Sequence, residues 1–449
     1  MQSDISYKNT TDTSNVNKTH SPAQGQAPAQ GQAQAQGQAQ AQGQAQTQGQ
    51  AQAQGQNDNK ASTTQLSEYT PLKSWEDLSV NQYLLRGIYS YGFEHPSPIQ
   101  AKGILPMLDG HDIIAQAQSG TGKTGCFVIG CLGKINTSIK STQALILSPT
   151  RELSIQTRRV LESIGSQMNA LKTQLLIGGT STEIDVKKLK FCPHVVIGCP
   201  GRVHDMLRRE ALDPSKLHLM ILDEADEILS QGFKEQIYNI FQYLPNAIQV
   251  ALFSATIPPL LNTLVNKFMR NPIEILVKSE QLTLEGIRQY YIALDSDDNK
   301  YDALKDLYKM ISMSQCIIYC NSVKRVQDLY DAMTSDHFAV SQIHSNMNKD
   351  ERITSFNEFS NGRSRVLISS NVTARGIDVQ QVSTVINFDV PKCIYTYLHR
   401  IGRSGRWGRK GLGINFVTRR DVQKMREIEQ YYSVHITELP ADIVNEAAK

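Results

Sequence analysis

Short apolar runs, each stopped by a polar cluster, recur along the chain from about Ser74 onward. In the first series, Asp112–Gln118 contains one such run, read as a buried strand, and mostly apolar 125–134 is read as the helix after it. Ala144-Leu-Ile-Leu147 leads to Pro149-Thr-Arg-Glu152, and Val195-Val-Ile-Gly198 leads to Cys199-Pro-Gly-Arg202. Leu219-Met-Ile-Leu222 leads to Asp223-Glu-Ala-Asp226, and Val250-Ala-Leu-Phe253 leads to Ser254-Ala-Thr256. In the second series, Cys316-Ile-Ile-Tyr-Cys320 precedes Asn321, Val366-Leu-Ile368 precedes Ser369-Ser-Asn371, and Val385-Ile-Asn-Phe388 precedes Asp389. Stretches of helical polar/apolar character separate the runs, so each half reads as a parallel α/β sheet. Ligands of such sheets bind at the carboxyl ends of the strands, where the polar residues collect in both halves. Two sheets facing across a cleft is the economical arrangement. Asn271-Pro272 closes the first unit, and polar Lys278–Glu285 is a connector short enough for the halves to open and close as jaws.

The first 65 residues carry no such pattern. From Ala23 to Gln56 a unit close to Ala-Gln-Ala-Gln-Gly-Gln repeats, with glycines at 25, 31, 37, 43, 49 and 55. A glycine costs a helix about 1 kcal/mol at each recurrence, and no apolar stripe offsets it. Residues 1–65 therefore read as a low-complexity, disordered tail, either a Gln-rich partner segment or an unselected repeat expansion. At 449 residues the whole chain suits two or three domains. A net charge of +3 is too small for an overall basic field, so a grip on a polyanion must come from local Lys and Arg clusters. The seven cysteines lack zinc-finger spacing, and Cys126, Cys131, Cys316 and Cys320 read as small core residues. With no apolar leader and no run long enough to span a bilayer, the expectation is a soluble, reduced, intracellular protein without a membrane.

The stretch Ala117-Gln118-Ser119-Gly120-Thr121-Gly122-Lys123-Thr124 lies between that first strand and helix. There, successive backbone N–H groups cradle a polyphosphate, Lys123 reaches the β- and γ-phosphates, and the Thr124 hydroxyl sits on Mg²⁺. Gly120 and Gly122 keep side chains out of the way; Ala117 stands where the general pattern has its first glycine. The predicted ligand is a nucleoside triphosphate with Mg²⁺. Asp223, ending its run about one hundred residues later, is read as the Mg²⁺ ligand, partly through water. Glu224 beside it polarises the attacking water, and two adjoining carboxylates at a buried strand end call for a cation. In His399-Arg-Ile-Gly-Arg-Ser-Gly-Arg406, Arg403 and Arg406 are three apart and would share a face on a helical turn. They read as fingers on the γ-phosphate once the second half closes on the first. Arg400, Arg409 and Lys410 join them in a cluster that by itself would be a solvated basic surface.

Taken in order, Gln100, Ala117–Thr124, Pro149-Thr-Arg-Glu152, Asp223-Glu-Ala-Asp226, Ser254-Ala-Thr256, Ala374-Arg-Gly-Ile-Asp378 and His399–Arg406 resemble the DEAD-box RNA helicases. Within that family Leu85–Phe93, Leu282–Ile287 and Ile428–Tyr432 are similar to the eukaryotic initiation factor 4A group. The resemblance implies two RecA-like domains in tandem, 74–275 with a Q motif at about 73–101 and 286–449, joined by a short linker. It implies ATP and Mg²⁺, and one RNA strand lying across both domains. By the same resemblance Phe93, supported by Trp75, stacks on adenine, Gln100 bonds its edge, and Asp378 touches the ribose. Ser254 and Thr256 couple Asp226 to closure, with His399 contacting from across the cleft. Arg151, Gly179, Arg202, Asn321, Arg352 and Ser370 line the RNA backbone, a sequence-independent, salt-sensitive grip. Four positions depart from the family form: Cys199 for Thr, Lys349 for Gln, Ser345 for Gly and Asn371 for Asp.

The activity so implied is an RNA-stimulated ATPase that locally unwinds mRNA structure, a monomer in the cytoplasm with a 4G-type scaffold as partner. The alternative is an ATP-gated RNA clamp of the exon-junction or pre-rRNA-processing type, which would allow a nuclear location. A metabolic phosphate-loop enzyme would leave the arginines of the second half without a role.

Overall fold

The computed structural model describes residues 69–117, 120–230, 232–275, 287–310, 315–371, 382–404 and 411–440. Two seven-stranded sheets follow one another, and every pairing in both is parallel. The strands of the first are β1 (Ile113–Gln116), β2 (Ala144–Leu147), β3 (Thr173–Leu176), β4 (Val195–Gly198), β5 (Leu219–Asp223), β6 (Gln249–Ser254) and β7 (Ile273–Ile275). They stand side by side as β3-β4-β2-β5-β6-β1-β7. The second sheet is built from β8 (Ile287–Leu294), β9 (Cys316–Tyr319), β10 (Val340–Ile343), β11 (Val366–Ser369), β12 (Thr384–Asn387), β13 (Gly411–Thr418) and β14 (Thr437–Glu438). Its order is β10-β11-β9-β12-β13-β8-β14. The contacts of the chain gather both sheets into one compact unit.

The runs singled out in the sequence are the central strands, each buried along its whole length. Helices cover both faces of each sheet, so a central strand must be apolar at successive positions. The core divides accordingly, with Ile113 and Ala115 packing on one face of the first sheet and Ile114 on the other. The edge strands β3 and β10 alternate half-buried with buried residues and leave no continuous apolar signal. Long β8 is half-buried through most of its length, and its polar residues break the run likewise. One boundary differs by a residue: the strand expected at Val385–Phe388 is Thr384–Asn387, which leaves Phe388 just beyond it.

The helical turn expected to carry Arg403 is also different. The helix Ile394–Ile401 stops at Gly402, and Arg403 and Ser404 continue as a tight turn through Arg403 N–H to Arg400 O (3.2 Å) and Ser404 N–H to Ile401 O (3.0 Å). Arg406 lies outside the described residues, so a face shared by the two arginines is not part of the described structure.

Position in this fold depends on close backbone approaches. In the helix Gln82–Ser90, Gly87 lies against the end of the helix Arg151–Ile164, and a Cβ on it would stand 1.8 Å from the Ile164 carbonyl oxygen. No rotamer relieves a clash with backbone, so the helix would have to move, and with it the turn that leads to Phe93, whose N–H bonds Ile88 O at 3.3 Å. Gly87→Ala is expected to lower stability by more than about 2 kcal/mol, read as a fall in denaturation midpoint without a change in its slope.

Candidate functional site

At the end of β1 the chain turns sharply into the helix Lys123–Lys134. Gly120 and Gly122 take φ of +84° and +98°, the left-handed region that a side chain disfavours. Gly122 is also crowded, since a Cβ there would lie 2.7 Å from Ser97 Oγ and 2.8 Å from Gln100 Nε2. Gln100 is buried and uses both ends of its amide: Oε1 accepts from Ser97 N–H (2.8 Å) and Nε2 donates to Gly122 O (3.2 Å). It thus clips the helix Pro98–Leu108 to the Gly-rich turn. Phe93 packs over Gly125, with Trp75 stacked on it at 6.2 Å between ring centroids and Tyr91 edge-on at 4.9 Å. Ala117 is buried and donates its N–H to Ser254 O (3.1 Å), while Thr121 and Thr124 are half-buried. Gln118 and Ser119 lie outside the described residues.

The strands beside β1 bring acids to this turn. Register sets Gln116 against Ser254 and Asp223 against Phe253, so the ends of β1, β6 and β5 are neighbours. Lys123 is buried, its Nζ is 3.8 Å from Glu224 Oε1, and it has no hydrogen-bond partner among the described residues. Glu224 adopts φ +50°, strained for a residue with a side chain and a mark of functional sites. Burial, then the adjoining Glu224, raises the Asp223 carboxyl well above the usual carboxylate range against the pull of Lys123. Two carboxylates out of water with one ammonium form an anionic pocket of hard oxygen donors, which suits Mg²⁺. The orphaned Lys123 ammonium in turn suits an anion such as a phosphate.

Asp226, at the start of the helix Ala225–Ser230, is one of the points where the two sheets meet. Its Oδ1 accepts from Glu227 N–H (3.0 Å), and its Oδ2 accepts from the Thr256 hydroxyl and pairs with His399 Nε2 at 3.0 Å. Thr256 in turn donates its N–H to Ser254 Oγ (3.3 Å). His399 belongs to the helix Ile394–Ile401 of the second sheet, and its Nδ1 lies 3.9 Å from Glu224 Oε2. Glu224, Asp226 and His399 make the one cluster among the described residues with metal-ligand spacing, their donor atoms within 4.8 Å of one another. Arg403 is buried behind it, with Nε donating to His399 O (3.2 Å).

A second link between the sheets is the ion pair of Arg352 with Glu152 at 2.8 Å. It lies in a groove of about 820 Å³, lined on the first sheet's side by Arg151, Thr180 and Ile184 and on the second's by Arg352 and Phe356. The Arg151 guanidinium rests on Gly178 and Gly179, where a Cβ at 179 would come within 3.0 Å of Nη1. Arg202 is held by Asp185 and by Thr180 Oγ1 (3.0 Å) and O (2.9 Å). On the second sheet Asn321 donates its N–H to Asp389 Oδ2 (2.9 Å) and Nδ2 to Val390 O (2.8 Å), and Ser370 N–H reaches Ile343 O (3.3 Å). Asp378 lies outside the described residues. Arg400, grouped in sequence with a solvated basic cluster, is instead fully buried. Its place in the strongly amphipathic helix Ile394–Ile401, directly after buried His399, was the available signal.

The chain matches the family model described as DEAD/DEAH box helicase over residues 97–264 and that of the helicase conserved C-terminal domain over 299–408. It is 52% identical over 372 residues to the ATP-dependent RNA helicase eIF4A of Chaetomium globosum, covering 83% of this chain and 94% of that protein. Its identity to the protein of the same name from Schizosaccharomyces pombe is 51% over 374 residues, 83% of this chain and 95% of that one. Among solved structures, S. cerevisiae Dbp5 bound to RNA and ADP BeF3 superposes with a TM-score of 0.78 at 34% identity, over 84% of this chain and all of that one. Mss116p bound to ssRNA and AMP-PNP gives 0.75 at 26%, over 84% and 82%.

Gln100→Ala removes both bonds that join the helix Pro98–Leu108 to the Gly-rich turn. The expected outcome is a loss of about 1–3 kcal/mol of stability, with weaker binding of a nucleoside triphosphate titrated by calorimetry. Unchanged affinity would separate the clip from the ligand site.

Proposed function

The chain belongs to the DEAD/DEAH box helicase family and is an ATP-dependent RNA helicase related to initiation factor 4A; from that premise we propose that ATP and one RNA strand are each gripped by both sheets, so that closure joins hydrolysis to local unwinding. The observation that carries this reading is the bond of His399 to Asp226, which ties the carboxylate cluster of the first sheet to the helix of the second. In this reading residues 74–275 bind ATP, 286–449 complete the site, and the tail 1–65 stands outside both.

Lys123 and the N–H groups of 117–124 bind the polyphosphate, while Phe93 and Gln100 hold the adenine and Asp378 the ribose. Mg²⁺ held by Asp223 and the Thr124 hydroxyl, in part through water, supplies Lewis-acid neutralisation of the charge that develops on the phosphates. Glu224 orients the attacking water and draws on its proton. Arg403 and Arg406 offset charge on the transferring phosphoryl group, a contribution of roughly 10³-fold or more for a finger of this kind. Both arginines come from the second sheet, so the site is complete only in the closed arrangement. Ser254, Thr256, Asp226 and His399 transmit that closure.

Arg151, Gly179, Arg202, Asn321, Arg352 and Ser370 hold the RNA through its backbone, which makes the grip independent of sequence and sensitive to salt. A backbone bent across both sheets fits one strand, so closure opens a short duplex locally without translocation. Kinship with initiation factor 4A supports work on mRNA in the cytoplasm as a monomer with a 4G-type scaffold.

The test is RNA-stimulated ATP hydrolysis and multiple-turnover unwinding of a short duplex by the full chain. Unwinding is expected; ATP-dependent retention of RNA without released strands would favour a clamp of the exon-junction or pre-rRNA type, and hydrolysis indifferent to RNA would overturn the reading. Lys123→Ala is expected to abolish hydrolysis, and wild-type turnover in that variant would remove Lys123 from the phosphate site. Glu224→Gln is expected to keep ATP and RNA bound while turnover falls by at least about 10²-fold. Loss of RNA binding in that variant would contradict the role given to Glu224.

A further inference from the structure

Strand β3 is an open edge of the first sheet, with β4 on its paired side. Val195 and Cys199 donate their N–H groups to Lys172 O (3.3 Å) and Leu176 O (3.0 Å). The alternate residues Thr173 and Leu175 therefore turn their N–H and C=O groups away from β4. Neither of these N–H groups has a partner among the described residues. The outward Leu175 oxygen is met by the side chain of its neighbour, Gln174 Nε2 (2.8 Å), in the place of a strand. Thr173-Gln-Leu-Leu176 contains no charge and no proline, the devices that ordinarily keep an edge from pairing with another chain.

This edge forms the floor of a trench. The groove of about 820 Å³ takes in Gln174 and Leu175 between the helix Arg151–Ile164 on one wall and the helix Thr182–Leu189 on the other. A second groove of about 400 Å³ shares Gln174 and Lys188 with it and carries on to Phe191, which is 69% exposed. Both walls are apolar, through Ile155 on the first and Ile184 on the second. Each also bears an exposed cation with no ion-pair partner among the described residues, Arg159 on the first and Lys188 on the second. The acids along the trench are already engaged: Glu152 by Arg352, Glu162 by Arg158 and Asp185 by Arg202.

We propose that β3 takes up an extended, acidic peptide segment of a partner protein as a further strand of the first sheet. Its main chain bonds the outward groups of Thr173 and Leu175, its carboxylates face Arg159 and Lys188, and its apolar side chains face Ile155 and Ile184. Main-chain bonds of this kind give affinity, and the side chains select the partner. Successive residues of an added strand point to opposite faces, so a segment that repeats two acids and two apolar residues offers each wall one of each. A nucleic-acid strand would satisfy the two cations but has no aliphatic groups for the two walls. Arg159 and Lys188 belong to neither the nucleotide residues nor the RNA residues named above.

The test uses the full-length chain and a labelled dodecapeptide repeating Glu-Glu-Val-Val, with binding read by fluorescence anisotropy and amide hydrogen exchange followed over residues 172–177. Saturable binding that slows exchange in that segment is expected. The same peptide N-methylated at every residue keeps its charges and side chains but loses its ladder donors, and should bind at least about tenfold more weakly. Arg159→Glu combined with Lys188→Glu should also cost at least about tenfold in affinity, with Tm and RNA-stimulated ATP hydrolysis as in the wild type. The proposal is overturned by a wild type that does not bind the peptide, by equal binding of the N-methylated peptide, by unchanged affinity in the double variant, or by protection that appears elsewhere than 172–177. A single-stranded RNA oligonucleotide that displaces the peptide and protects the same segment would overturn it too, and would give the trench to the RNA path.

Discussion

Asp226 is almost wholly buried, and a carboxylate in that position needs donors for both oxygens. Its donors include the next backbone N–H, the Thr256 hydroxyl on the chain leaving β6, and His399 of the second sheet. Of these, the last lies across the cleft. In this arrangement the imidazole is held 3.9 Å from Glu224 as well. The contact therefore ties the helix of the second sheet to the acid cluster of the first.

The same economy of charge governs the rest of the cleft. Asp223, Glu224 and Lys123 sit together with little access to water, and burial first, then the adjoining Glu224, raises the Asp223 carboxyl further than Lys123 offsets. Such a group stabilises the fold weakly by itself and gains when a cation and an anion complete it. The left-handed backbone at Glu224 has the same character, a local cost carried within the acid cluster. Beside it, Trp75 stacks on Phe93, and Gln100 uses both ends of its amide to join Ser97 to Gly122.

The second sheet inverts the sign. Around Arg400 cations outnumber the acids that face them, with Lys300 and Arg325 both drawn to Asp389 and Asp297. One helix carries both of these environments, His399 toward the acids and Arg400 toward the side-chain oxygens of Asn321 and Asn371. A shift of that helix of even an ångström would alter both sets of bonds together, since packed side chains transmit displacement instead of absorbing it.

What the amino-acid order determined alone is what depends on near neighbours. Central strands with both faces covered are continuous apolar runs, so β2, β4, β5, β9 and β11 could be read directly. Glycines that must turn left-handed, with a lysine immediately after them, marked the Gly120–Lys123 turn. The edges β3 and β10 escaped notice because exposure on one side mixes polar residues into the pattern. The resemblance placed His399 across the cleft from the Asp226 group, 173 positions away, but tertiary structure alone decided that Glu152 pairs with Arg352 and that Arg400 leaves the surface for a ring of neutral oxygens. No periodicity encodes such meetings, because they arise from the stacking of strand ends and the closure of two sheets, and the desolvation of a charge depends on everything that surrounds it.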